Sequence, residues 1–110
     1  MARLRAPVEG VEIGQPDGDT LSLGGALTFA TAQHAWAEGS RALATGTQTR
    51  LDLAAVTRAD SAGLACVIAL AAAANRAGRR LSVIHWPEGL HALAEVCDAA
   101  SLLEPATGSA

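Results

Sequence analysis

The chain begins with two short segments in which hydrophobic and polar residues alternate, residues 8–13 and residues 20–23. Such alternation is typical of β-strands that bury one face. The residues between them, 15–18, read Gln-Pro-Asp-Gly, which combines the fixed φ of proline with a glycine that tolerates positive φ and so predicts a turn. We therefore expect an antiparallel hairpin that ends at Gly24-Gly25.

Three later segments carry apolar residues at the spacing of three to four that is typical of helices. The first begins after Thr28, a predicted N-cap, and ends at Gly46. Its apolar face is formed by Phe29, Ala32, Ala35, Trp36 and Leu43. The second, residues 61–77, is almost wholly apolar until Gly78 ends it, so this helix must be substantially buried on a sheet. The third starts with Pro87 at its first position. Its inner face is formed by Leu90, Leu93, Ala94 and Cys97.

Two more strands lie between these helices, at residues 49–53 and 81–85, and residues 54–59 are expected to form a loop. The predicted order is therefore strand, strand, helix, strand, helix, strand, helix. Strand–helix–strand connections favour parallel strands joined by right-handed crossovers. We predict an α/β domain with a single mixed sheet, built from an N-terminal hairpin and further parallel strands.

Length and composition fit one small domain and exclude several classes of protein. The chain has 110 residues, and all eight of its basic residues are arginine, which excludes a P-loop lysine and a Schiff-base lysine. Its net charge of −3 is unlike that of a nucleic-acid-binding protein, and no apolar run is long enough to cross a membrane. We expect the folded domain at residues 8–104, between an N-terminal arm (1–7) and a flexible tail (105–110).

Candidate catalytic and metal-binding groups are dispersed along the chain. No phosphate-binding loop, nucleophile elbow or zinc-protease motif occurs. The histidines and cysteines have no recognised ligand spacing, so we predict no metal site and no cofactor. These residues are His34, His85, His91, Cys66 and Cys97. We expect both cysteines to be reduced, small hydrophobic residues in a cytoplasmic protein. A small enzyme that uses Asp60 or a histidine as its acid–base group is a third, separate hypothesis, but no base, nucleophile and orienting residue can be assembled around either.

The segment from Val56 to Leu64 (Val-Thr-Arg-Ala-Asp-Ser-Ala-Gly-Leu) joins a strand to the most apolar helix. Asp60 or Ser61 can cap that helix, and a plain helix cap is the simplest interpretation of the segment. Gly63 in the first turn lowers helix stability by about 1 kcal/mol relative to alanine, which suggests that something approaches the backbone closely. A phosphate on Ser61 would be favoured by the helix dipole and the free amides.

Asp60-Ser61-Ala62-Gly63-Leu64, set between a strand and an apolar helix, resembles the signature of STAS domains, the sulfate-transporter and anti-sigma-factor-antagonist domains. The resemblance extends from about Val8 to Leu103 in the order of elements. It implies a small sheet with helices on one face, no catalysis, and docking to a protein partner through the loop and helix that carry the motif. In anti-sigma-factor antagonists, a serine or threonine between the Asp and the Gly is phosphorylated by a partner kinase. That group usually has two adjacent hydroxyl residues, whereas here Ser61 is followed by Ala62.

The segment from Thr57 to Ala65 is more similar to the STAS subunit of the bacterial phospholipid-transporting ABC complex that maintains outer-membrane lipid asymmetry. That subunit has a single hydroxyl residue after the Asp. This resemblance implies a cytoplasmic accessory subunit that binds the transporter's ATPase and is associated with the membrane only through that partner. The partner-binding residues that it implies are Thr57, Arg58, Asp60, Ser61, Ala62, Gly63 and Leu64. Ser61 is also the candidate phosphorylation switch of the alternative, a regulator that binds an anti-sigma kinase.

Overall fold

The computed structural model describes residues 10–96, which form one four-stranded sheet and three helices. The elements in chain order are β1 (Val11–Asp17), β2 (Thr20–Leu27), α1 (Ala32–Thr45), β3 (Arg50–Ala59), α2 (Ser61–Arg76), β4 (Ser82–Ile84) and α3 (Glu88–Val96). The strands lie in the order β1-β2-β3-β4, with β1 antiparallel to β2 and the other pairs parallel. The predicted fold class, a mixed sheet with an N-terminal hairpin, is confirmed.

The core lies between the sheet and the helices. Leu21 and Leu23 of β2 and Leu51 and Leu53 of β3 are fully buried, because alternate residues of a strand point to the same face. The helix α2 contributes further buried residues to the same cluster, among them Leu64, Cys66, Val67 and Leu70. This explains much of its apolar sequence, because α2 packs against β3, α1 and α3 and buries six of its residues.

The hairpin is confirmed, but the predicted turn position and strand end are wrong. Strand β1 continues through Pro16, which is tolerated because β1 is an edge strand and an irregularity separates Gly14 from Asp17. The turn lies at residues 18–19, where the Asp17 carboxylate accepts a hydrogen bond from the amide of Asp19 at 2.8 Å. Strand β2 continues past Gly24 to Leu27 and stays paired with β3, and Gly25 within it has a φ of 81°, which glycine adopts without strain.

The first helix begins later than predicted. Its N-cap is Thr31, not Thr28, and Phe29 is 84% exposed in the loop before it. The Thr31 hydroxyl donates to the carbonyl of Ala26 at 2.6 Å and accepts from the amide of Thr28 at 3.0 Å, so it stabilises a turn between β2 and α1. The spacing of Phe29 fits the helical pattern only by coincidence. Gly46 ends α1, as predicted.

The predicted loop at residues 54–59 is wrong, since β3 extends through all of it. Two irregularities in the pairing of β2 with β3 disrupt the alternation of side chains. The sequence of this part of β3 therefore lacks the alternating pattern that predicts a strand. The second helix and its end before Gly78 are confirmed.

The last strand and helix also differ slightly from the prediction. Strand β4 is shorter, and His85 after it has a φ of 58°. Pro87 precedes α3 as its cap, and its carbonyl accepts from the amide of His91 at 3.0 Å. The predicted arm (1–7), tail (105–110) and Cys97 lie outside the described residues. Within residues 10–96, no helix has the length and hydropathy needed to cross a bilayer.

Candidate functional site

The predicted site residues lie at the carboxyl edge of the sheet. Strands β2 and β3 are parallel and end in register, with Leu27 opposite Ala59. The loop that follows β2 and the junction from β3 to α2 are therefore neighbours. In α/β sheets this edge is where ligands and partners commonly bind.

Asp60 joins these two segments through both of its carboxylate oxygens. Oδ1 accepts hydrogen bonds from the amides of Ala62 at 2.9 Å and Gly63 at 3.1 Å, which makes Asp60 the N-cap of α2. Oδ2 accepts from the amide of Phe29 at 3.0 Å, thirty-one residues away in sequence. The Phe29 amide, together with those of Gly63 and Ala62, lowers the pKa of Asp60 below its ordinary value because it stabilises the charged form. Of the two predicted N-caps, Asp60 and Ser61, the structure has Asp60 in that role.

The close approach expected at Gly63 is present, and the approaching group belongs to the chain itself. A Cβ built on Gly63 would lie 3.1 Å from the carbonyl carbon of Leu27 and even nearer to its oxygen. The same Leu27 carbonyl accepts from the amide of Asp60 at 3.3 Å. Gly63 therefore allows the start of α2 to sit directly on the end of β2.

Ser61 is exposed at the first position of α2, and its hydroxyl makes no hydrogen bond to any other residue of the described range 10–96. The amides of Ala62 and Gly63 already donate to Asp60, so two of the amides expected to favour a phosphate at this end of the helix are occupied. Two of the remaining predicted residues, Gly63 and Leu64, are buried, so they can act on a partner only by supporting their neighbours.

An open apolar groove that was not predicted from the sequence lies between the starts of α1 and α2. The groove has a volume of about 550 Å³. It is lined by Phe29, Ala30, Ala32, Gln33, Trp36, Ala62, Ala65 and Cys66. Phe29 and Trp36 are two of the three aromatic residues in the chain. Their occurrence together in this part of the sequence was the signal that could have indicated the groove. Asp60 holds the Phe29 loop against the start of α2, where Ala62, the residue after Ser61, lines the groove.

Thr57 and Arg58 are exposed but line a different, smaller cleft. That cleft has a volume of about 240 Å³ and also involves Gly10, Gly25 and Ala26. Of the predicted residues, the structure therefore places Ala62 in the lining of the apolar groove, with Asp60 and Ser61 preceding it in the chain, and it places Thr57 and Arg58 in a separate cleft.

The groups considered for catalysis or metal binding do not converge. Burial raises the pKa of the Cys66 thiol to about 11, so it is protonated near neutral pH and unsuited as a nucleophile. His85 contacts Asp52 at 2.9 Å, and His91 lies beside Trp86 and Glu95. Within residues 10–96 no three histidine, cysteine or acidic side chains form a group that could hold a metal ion.

A family model described as "Mlab, STAS domain" matches residues 13–104. Among solved structures, the anti-sigma factor antagonist SpoIIAA in its unphosphorylated form is similar, with a TM-score of 0.67, 14% identity and coverage of 90% of each chain. The phosphorylated form of SpoIIAA, described as a Bacillus cell fate determinant, gives a TM-score of 0.64 at 14% identity, over 90% of this chain and 93% of that one. At this identity the likeness shows a shared fold. No curated protein sequence matches the chain.

Proposed function

The chain belongs to the STAS domain family, whose model spans most of its length, and we propose that it is a non-enzymatic accessory subunit that docks onto the ATPase of a phospholipid-transporting ABC complex. The description of the matching family, which names the Mlab type, supports this choice of partner. Such a subunit would work in the cytoplasm and reach the membrane only through that partner.

One observation carries the proposal: Asp60 joins the Phe29 loop to the start of α2, and Phe29 and Ala62, the neighbour of Ser61, line a single apolar groove. Protein interfaces concentrate their binding energy in a few residues, among which aromatic side chains are enriched, and the contacts around them add little energy but exclude water. Phe29 and Trp36 provide the aromatic groups, and Ala62 and Ala65 leave room for a partner's side chain. The surface is already formed in the unbound chain, which lowers the entropy cost of docking.

The chemistry of Asp60 favours docking over acid–base catalysis. Its two oxygens accept three amide hydrogen bonds, and these lower its pKa, so it is a poor proton carrier near neutral pH. The STAS family is generally non-catalytic, which agrees with this assignment.

The alternative function is an anti-sigma-factor antagonist controlled by phosphorylation of Ser61. It is favoured by the exposure of Ser61, whose hydroxyl has no partner within residues 10–96 and is therefore accessible to a kinase. Two observations weigh against it. Ala62 stands where a second hydroxyl is usual, and Asp60 already occupies two amides that a phosphate would use.

Binding to the purified ATPase subunit of such a transporter tests the leading proposal. We expect Ser61→Glu to weaken binding at least tenfold. The chain should stay folded, because an acidic residue is favourable in the first turn of a helix. Ala72→Glu is the matched control: it adds the same charge to an exposed position of α2, about 17 Å along the helix at 1.5 Å per residue. Equal weakening by both variants, or no binding by the unsubstituted chain, would contradict the proposal.

Incubation with ATP and an anti-sigma kinase tests the alternative. Intact mass measurement of the unsubstituted chain and of Ser61→Ala shows whether a phosphate is added at this position. A phosphate that appears only on the unsubstituted chain would support the alternative, and an unchanged mass in both would exclude it.

A further inference from the structure

The turn between β2 and α1, residues 28–31, presents an aromatic side chain to solvent on a backbone that is held in place. The amide of Thr31 donates to the carbonyl of Thr28 at 3.0 Å, which closes the turn with Phe29 at its corner. Phe29 is 84% exposed, although its amide donates to Asp60 at 3.0 Å. A large apolar side chain on a fixed backbone can meet a partner without first being ordered.

The side chain of Thr31 holds this turn and does not cap the helix that follows it. Thr31 is the N-cap of α1, a position from which threonine usually accepts a hydrogen bond from an amide of the first helical turn, but its side chain makes no such bond. Its hydroxyl instead donates to the carbonyl of Ala26 at 2.6 Å and accepts from the amide of Thr28 at 3.0 Å. Helix capping therefore does not explain this threonine.

Two side chains from different elements thus hold two consecutive amides of the turn. The Thr31 hydroxyl binds the amide of Thr28 and joins the turn to the end of β2, in which Ala26 lies. The Asp60 carboxylate binds the next amide, that of Phe29, and joins the turn to the start of α2. The backbone on the N-terminal side of the Phe29 side chain is therefore fixed to both the sheet and α2.

We propose that Thr31 is a positioning residue of the docking surface: its hydroxyl, together with the Asp60 carboxylate, fixes the turn so that Phe29 is presented to the partner. The inference rests on the proposed function, because the partner is the ATPase subunit named there. Without the hydroxyl the turn would adopt further conformations. The apparent affinity falls in proportion to the fraction of chains in the binding-competent conformation.

Titration calorimetry with the purified ATPase subunit tests this role with three variants. Thr31→Val removes the hydroxyl and keeps the branched shape, and we expect it to weaken binding about fivefold to tenfold because two hydrogen bonds are lost. Thr31→Ser keeps the hydroxyl and should bind within about twofold of the unsubstituted chain. Thr45→Val is the matched control: it removes a hydroxyl that donates to the carbonyl of Arg41 at 3.3 Å at the other end of α1, and it should leave the affinity unchanged.

A double variant with Phe29→Ala shows whether Thr31 acts through Phe29. A residue that only stabilises the fold would weaken binding by the same factor with or without the aromatic side chain, whereas residues that act together are not additive. We expect Thr31→Val to change the affinity of the Phe29→Ala chain by less than about twofold. Circular dichroism shows that each variant is folded at the temperature of the titration. An equal effect in both chains, or unchanged affinity of Thr31→Val, would overturn the proposal.

Solvent exchange of backbone amides, measured by NMR on the free chain, tests the turn without a partner. The amides of Thr28 and Phe29 should exchange more slowly than that of Ala30, which donates to no residue of the range 10–96. Thr31→Val should speed exchange of both at least about threefold and leave the centre of α2 unchanged. Unchanged exchange at Thr28 and Phe29 would overturn the proposal whatever the partner, whereas an unsubstituted chain that binds no ATPase would contradict the proposed function alone.

Discussion

Replacing Gly63 by alanine tests the packing that positions the docking surface. In an ordinary helix this change is stabilising by about 1 kcal/mol, because alanine has the higher helix propensity. Here the new methyl group would meet the carbonyl of Leu27, a backbone group held in place by β3 and by the amide of Asp60. Forcing extra atoms into a well-packed site typically lowers the free energy of unfolding by about 1–3 kcal/mol. Because the neighbour here is a backbone group, which cannot rotate away as a side chain can, we expect a cost near the upper end of that range.

The net expectation for Gly63→Ala is a loss of about 1–2 kcal/mol, which corresponds to a fall in Tm of roughly 5–15 °C for a domain of this size. Gly89→Ala is the matched control. It also lies in the first turn of a helix, but no atom stands near its Cβ position, so this variant should gain up to about 1 kcal/mol. Thermal melts followed by circular dichroism and urea titrations measure both. A Gly63→Ala chain that melts at or above the unsubstituted chain would refute the tight approach of α2 to β2.

Three further predictions concern the side chains that support this surface and the core. Because the pKa of Asp60 is lowered in the folded chain, its stabilising effect is present above its unfolded pKa and is lost as the pH falls through the folded value. The stability difference between the unsubstituted chain and Asp60→Asn, measured by urea unfolding, should therefore shrink on acidification; a constant difference would contradict this. Arg79 donates to the carbonyls of Leu43 and Gln48, so Arg79→Met should lower the free energy of unfolding by about 1–3 kcal/mol in urea titrations, and a change under 0.5 kcal/mol would argue against this role. With the other cysteine replaced by serine, Cys66 should resist iodoacetamide at pH 8 in the folded chain and react quickly in urea; rapid reaction without urea would show that its thiol is accessible.

The regular elements with strong local signals were predictable from the sequence. The apolar run of α2 and the glycine that follows it define that helix almost to the residue. The hairpin and the order of elements give the sheet, because connection rules leave few topologies. In contrast, the second half of β3 was not predictable. Its pairing with β2 shifts register twice, so the side chains do not alternate regularly.

The candidate site was only partly predictable, because its geometry depends on contacts distant in sequence. The capping role of Asp60 follows from local spacing, but its bond to the amide of Phe29 depends on how two strands end side by side. For the same reason Phe29 fitted a helical pattern in the sequence although it lies exposed before the helix. The groove beside Ser61 becomes visible only when α1 and α2 are packed together.

The most direct test of the central claim is the affinity of the chain for the transporter's ATPase subunit, measured by titration calorimetry for the unsubstituted chain and for Phe29→Ala. Because Phe29 is 84% exposed, its removal should change Tm by only a few degrees, as for other surface substitutions. The same substitution should weaken ATPase binding at least tenfold, the effect expected of an aromatic anchor at an interface. Unchanged affinity, with the fold intact, would show that the groove beside Ser61 is not the docking surface.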